Sequence, residues 1–345
     1  MSFISFTIRC PPFGPARAPF DLSRHEDNES ACTSGEQLKE VFMTQVTEPK
    51  EKLEHATKVS FAKILVATDF SPESDQALGY ALALARRYDA RIYLAHVLAP
   101  DSFLYAEPAL AESTYEKVRQ AAEQSMADIL VSGKLRGIPH EVLLEEGTVW
   151  PVLEKLIEKH EIDLVITGTH GRGKVQKVLI GSVAEAIFRQ ATCAVMTVGP
   201  RVKGERPSEV ELKNILFATD FGAGAEKAAA YAFSLAQEHA ARLTLLHVIQ
   251  EATAFTEESV RRQRENYIER MKQLMPAGAE NWCKPEFRVT FGAAAEEILT
   301  LARETNADLI VMGAKARKGL AGHVPVTIAY NVVTKAGCPV LTVRG

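Results

Sequence analysis

The chain repeats itself. Lys63-Ile64-Leu65-Val66-Ala67-Thr68-Asp69-Phe70 is answered by Asn214-Ile215-Leu216-Phe217-Ala218-Thr219-Asp220-Phe221. The pairing runs without a gap to His96-Val97 in the first copy and His247-Val248 in the second, with about half the residues identical. A repeat of about 140 residues is a duplicated domain, because solenoid units run only about 20–50 residues. The 345 residues also suit two domains of ordinary size. Their expected bounds are 61–199 and 212–345, joined by a polar Gly/Pro-bearing linker over 200–211.

Within each copy, short apolar runs alternate with helical periodicity. In the first copy strands are expected at Lys63–Ala67, Arg91–Val97, Glu141–Leu144, Ile162–Thr167 and Ala194–Val198. Helices are expected from Pro72 to about Tyr88, Ala109 to Val131, Val149 to His160, and Gly181 to about Gln190. Ser71 is placed to cap the first helix, with Pro72 at its first position and Glu73 and Asp75 at its positive end. The order βαβαβαβαβ predicts a parallel sheet with helices on both faces and right-handed crossovers. The expected fold is therefore α/β: two tandem doubly wound domains, each a five-stranded parallel sheet.

The most informative stretch lies after the fourth strand. Gly168-Thr169-His170-Gly171-Arg172-Gly173 is glycine-rich, and Gly181-Ser182-Val183 opens the next helix. Glycines permit positive φ and close approach of a ligand to the backbone. Ser182 is positioned to cap the helix and to donate to a phosphate. Loop and helix-start amides converging on one volume make an anion site from main chain. The spacing is G-x-x-G, nine residues, then G-S, which is neither the Walker nor the Rossmann pattern.

Doubly wound sheets bind ligands beyond the carboxyl ends of the strands, where the winding reverses. Asp69, His96-Val97 and Gly168 stand at three such ends. Phosphates then fall to Gly168–Gly173 and the Gly181-Ser182 amides. Asp69 suits a ribose hydroxyl or a metal-bound water, and Ala67, Thr68 and Val97 suit a base pocket. Each assignment has a plainer alternative. The glycines also make a tight turn, Asp69 also caps a helix, and His96 also makes a local hydrogen bond. His170 and Arg172, with Lys174 and Lys177, also read as a solvated loop.

The glycine signature, the repeat and the strand order together resemble the universal stress protein family, across nearly all of Ala62 to Gly345 in two copies. The resemblance implies an adenine nucleotide α-hydrolase-like fold. It also implies ATP, with Mg²⁺, held by Asp69, Val97, Gly168, Gly171, Gly181 and Ser182, with Ala67, Thr68 and Val183 as looser contacts. A role in stress resistance is implied with it. The related adenylating enzymes carry S-G-G-x-D-S after the first strand. Here that place reads Ala67-Thr68-Asp69-Phe70-Ser71-Pro72, which argues against adenylation.

The second copy has lost the signature. Gly313-Ala314-Lys315-Ala316 replaces G-x-x-G, and Val326-Thr327 replaces Gly-Ser. Side chains at Ala316 and Val326 intrude where phosphates need bare backbone, and Pro325 removes a donor. The second copy is expected to bind nucleotide poorly or not at all. The apolar terminal strands Ala194–Val198 and Val340–Val343 would invite aggregation as exposed edges and are expected to pack against each other, giving a covalent pseudo-dimer. A further homodimer is compatible with this.

Composition excludes several classes. A net charge of -4 with no long basic run argues against nucleic-acid binding. No apolar run reaches membrane-span length. The five cysteines are scattered without C-x-x-C, which fits reduced thiols in the cytoplasm. Cys193 and Cys338 precede the last strand of each copy and read as small buried residues. No G-x-S-x-G elbow, H-E-x-x-H or Cys/His cluster supports catalysis, so weak ATP hydrolysis is the most expected. A nucleotide-independent dimeric scaffold or chaperone-like factor is the alternative. Residues 1–60, rich in proline and then polar, are expected to be disordered, and Met43 is a second possible start.

Overall fold

The structure is a computed structural model that describes residues 59–99, 108–169, 180–202, 210–250, 256–314 and 327–345. The expectations for the extension, for His170, Gly171 and Arg172, and for 315–326 of the second copy lie outside these residues.

The first domain runs β1 Lys63–Ala67, α1 Pro72–Tyr88, β2 Arg91–Leu98, α2 Pro108–Val131, β3 His140–Glu146, α3 Val149–His160, β4 Leu164–Gly168, α4 Ser182–Gln190 and β5 Ala194–Val198. The second repeats it: β6 Asn214–Ala218, α5 Ala223–His239, β7 Arg242–Ile249, α6 Glu257–Lys272, β8 Glu286–Phe291, α7 Ala294–Glu304, β9 Leu309–Ala314, α8 Ile328–Lys335 and β10 Val340–Arg344. The α1 start follows its sequence signals. Ser71 caps it, accepting from the Ser74 amide at 3.2 Å, with Pro72 as the first helical residue. Such a cap contributes about 1 kcal/mol.

Among the described residues the ten strands form one sheet in the order β3-β2-β1-β4-β5-β10-β9-β6-β7-β8. Every pair is parallel except the central one, where β5 and β10 run antiparallel. Val195, Met196 and Thr197 stand opposite Thr342, Leu341 and Val340. The expected packing of the two terminal strands is thus a main-chain ladder, and it converts two five-stranded sheets into one. Both strands are buried on both faces as far as Val343, in keeping with sequences that are apolar apart from Thr197 and Thr342.

Alternate residues of β1 sort the helices. Ile64 and Val66 face a cluster with Leu78 and Leu84 of α1 and Met126 of α2. Leu65 and Ala67 face Leu153 and Leu156 of α3 and Ile187 of α4. The first cluster crosses the domain boundary without a break, taking in Ile215, Phe217 and Phe233 of the second domain. Phe61 stitches it, meeting Tyr88 edge-on at 5.2 Å and Tyr231 of α5 at 6.1 Å. Just before it, the Val59 amide donates to Ser234 Oγ at 2.9 Å.

The expected linker is anchored at its described ends. Val202 and Val210 are buried in the same cluster, and Gln76 Nε2 donates to the Val202 carbonyl at 2.9 Å. Among the described residues no helix is long and apolar enough to cross a membrane.

Candidate functional site at the carboxyl ends of β1, β2 and β4

The winding reverses between β1 and β4. From β1 the chain moves outward to β2 and β3 through α1 and α2; α3 then returns it across the other face to β4. Register places the tips together. Ala67 lies between Ala95 and Thr167, so Val97, Asp69 and Gly168 each stand one or two residues beyond one line across the sheet. Ala67 and Val97 share the α3/α4 face, on which α4 also begins. Thr68 is buried, Asp69 and Val97 are half-buried, and Ser182 is exposed. The tips of β1, β2 and β4 therefore lie side by side at one end of the sheet.

The β1 tip is a built turn. The Phe70 amide donates to Thr68 Oγ1 at 3.0 Å, and the Ser71 amide donates to Asp69 Oδ1 at 3.0 Å. Together they hold Phe70 at φ 62, a conformation a bulky side chain rarely adopts. His96 Nδ1 lies 2.7 Å from the Thr68 carbonyl. A carbonyl only accepts, so Nδ1 carries the proton, and the plainer reading of His96 as a local hydrogen-bond donor holds. The cap of α1 is Ser71; Asp69 makes the Asx turn ahead of it. One of its carboxylate oxygens is thus engaged locally.

Gly168 is needed for a reason other than flexibility. It has no positive φ, and it sits in β4 opposite Val198. A Cβ there would come within 2.9 Å of the Glu73 carbonyl carbon, because the first turn of α1 passes over the β4 tip.

The helix start also differs from expectation. Gly181 is the N-cap of α4, and Ser182 is the first helical residue instead of the cap. Among the described residues no side chain caps this end. The Gly181 amide donates to the Thr169 carbonyl at 2.8 Å, and the Thr169 amide donates to Val198 at 3.1 Å. Gly181 thus closes the loop at its base. The donors without an intrahelical partner are those of Ser182, Val183 and Ala184.

The sequence profile of the universal stress protein family matches residues 60–199 and again 211–344. The chain belongs to the universal stress protein family. A universal stress protein of Mycolicibacterium smegmatis is 28% identical over 294 residues, which are 81% of this chain and 96% of that one. A putative universal stress protein of Staphylococcus haemolyticus is 30% identical over 143 residues, 41% of this chain and 86% of that protein. The crystal structure of a universal stress protein from Archaeoglobus fulgidus covers 83% of this chain and 97% of its own, with TM-score 0.61 and 21% identity. At that identity the likeness shows the fold alone.

In this universal stress protein the second domain keeps the strand tip and alters the helix start. Phe221 takes φ 59, with its amide on Thr219 Oγ1 at 3.0 Å; the Gly222 amide is on Asp220 Oδ1 at 3.0 Å. Gly313 keeps the packing role of Gly168, since a Cβ there would reach the Ala225 amide nitrogen at 2.5 Å. At α8, however, Thr327 is the N-cap, and its Oγ1 accepts from the Tyr330 amide at 3.2 Å. The helix start that is uncapped in the first domain is self-capped in the second.

Among the described residues no group of three or more His, Cys, Asp or Glu gathers to hold a metal. Burial pushes the Cys193 thiol up to about 11 and that of Cys338 up to about 12. These thiols are not poised as nucleophiles. Cys338 is buried as expected, whereas Cys193 is only half-buried.

Proposed function

We propose that the first domain binds an adenine nucleotide, ATP with Mg²⁺, and that the chain is a cytoplasmic, nucleotide-responsive stress-resistance factor. The observation that carries this reading is the contrast between α4 and α8. Helix α4 opens with no side-chain cap beside an intact G-x-x-G-x9-G-S signature, while α8 satisfies its own first turn through Thr327. An uncapped helix start presents amides and a positive dipole end to an anion. The residues fit the group. Ser182, Val183 and Ala184 supply amides, and Ala67 and Val97 supply an apolar wall for a flat base. Asp69, half-buried at the tip of β1, is a carboxylate of the kind that suits a ribose hydroxyl. Magnesium bound to phosphates needs only one or two protein ligands, so a ready-made cage is not required.

The experiment is direct. Freshly purified protein is unfolded and its supernatant chromatographed for adenine nucleotide, alongside calorimetric titration of ATP-Mg²⁺. About one nucleotide per chain, abolished in a Gly171→Ala, Gly181→Val variant, is the expected result. No nucleotide and no heat at millimolar ATP would sink the reading.

A nucleotide-independent scaffold is the second reading. Two observations favour it: Gly168 packs against Glu73, and the Gly181 amide is taken by Thr169. Both give glycines of the signature a structural task. Hydrolysis has less support, since no general base or arginine finger can be named from the sequence.

A further inference from the structure

Helix α4 belongs to both domains. Its stripe Val183, Ile187 and Ala191 packs on the first domain's own sheet. Its other stripe, Ile180, Ala184 and Phe188, lies in a cluster with Val332 and Val333 of α8. Polar contacts pin both ends of α4 from the second domain. The Ile180 amide, one residue before the Gly181 cap, donates to Tyr330 Oη at 3.2 Å. Arg344 Nη2 donates to the Phe188 carbonyl, in the last turn, at 2.8 Å. Tyr330 is itself fixed, because Thr327 caps the turn of α8 that carries it. Thr327, which stands where the second copy has lost the serine of the signature, thus caps the turn whose Tyr330 reaches the residue before Gly181 in the first.

We propose that the nucleotide site of the first domain is completed from the second, with Tyr330 as a positioning residue for the start of α4. The inference rests on the nucleotide reading above. Tyr330 acts through Ile180: it sets where Gly181 stands and so where the amides of Ser182, Val183 and Ala184 point. Anion binding through main chain depends on that aim, since hydrogen bonds weaken steeply with misalignment. The altered domain is then a clamp for the intact one. Coupling between a site and an interface is reciprocal, so bound nucleotide must in turn tighten α4 against α8.

The test uses the full chain and ATP-Mg²⁺. Tyr330→Phe removes one hydroxyl and leaves the ring. The expected result is a dissociation constant raised about tenfold, because the amides of α4 must then be re-aimed each time nucleotide binds. The melting temperature without nucleotide should move little. In the unaltered chain, ATP should slow hydrogen exchange at the α8 amides of Val332 and Val333, which touch no nucleotide. This readout also covers the case in which Tyr330→Phe folds poorly. Binding unchanged in Tyr330→Phe, or no ATP-dependent protection of α8, would overturn the inference and leave the nucleotide reading standing. No binding of ATP by the unaltered chain would overturn both.

Discussion

Thr197 and Thr342 reciprocate across the middle of the sheet. Each hydroxyl donates at 3.3 Å to the opposite strand, Thr197 to the carbonyl of Val340 and Thr342 to that of Val195. Met196 and Leu341 face each other between them, both buried. The local two-fold relation is that of a symmetric dimer, built here inside one chain. The buried hydroxyls meet their hydrogen-bonding needs from the partner strand, as buried polar groups must.

The seam predicts that the halves do not part when the covalent link is cut. A protease site placed within 203–209 should, after cleavage, leave two fragments that co-elute in size-exclusion chromatography at micromolar concentration. Two independently soluble monomers would contradict the seam described above.

Leu341 sits at the centre of that seam with no exposure. Leu341→Ala should cost about 2–5 kcal/mol, the range for deleting a buried leucine side chain. Chemical denaturation should show the loss as a single shifted transition, since both domains share the cluster around Leu341. A separate early transition of one domain would mean the two are not folded as a unit.

Gly168 and Gly171 should behave differently although one signature contains both. Gly168→Ala drives a Cβ into the first turn of α1 and should lower stability by about 1–3 kcal/mol with or without nucleotide. Gly171→Ala should lower nucleotide affinity and leave the nucleotide-free melting temperature nearly unchanged. Gly313→Ala tests the same steric role in the second domain, where its Cβ would lie nearer still to backbone.

Acid should loosen the contact between α1 and α5. Burial first, then the neighbouring Arg87 charge, push the His239 imidazole down to about 4 from its ordinary 6.5, with Glu238 opposing. The Leu212 amide donates to its Nδ1 at 3.4 Å, a bond only the neutral ring accepts. A depressed histidine pKa means that the unfolded chain binds more protons between those values. Stability from this group is therefore complete above pH 6.5 and falls as pH drops toward 4. Melting temperature measured across that window should fall on acidification. The slope should be shallower in His239→Asn, which keeps an acceptor and does not titrate.

The sequence carried nearly all of the secondary structure, because both copies obey clean periodicities and cap rules. Helix α3 begins and ends at Val149 and His160, as the pattern indicates, and β5 spans Ala194–Val198 likewise. The adjacency of the β1, β2 and β4 tips followed from strand order. The roles of Gly168 and Gly181 did not. One is decided by the distance between β4 and the first turn of α1, the other by whether Thr169 turns its carbonyl inward. Nothing local in the chain encodes either. The contact of Tyr330 with Ile180 joins residues 150 apart in sequence and leaves no periodic trace. What hinted at it was the replacement of Gly-Ser by Val326-Thr327, read from sequence only as decay.

A dimer of identical chains writes every substitution twice, once on each side of its axis. Here the axis between Met196 and Leu341 falls within a single chain. Thr327 can close one helix start while Gly181 leaves the other open. Continuity of the polypeptide fixes the ratio of the two halves at one to one, whatever the protein concentration. It also lets each half change without copying that change into its neighbour, so the pair could divide a labour that identical halves must share.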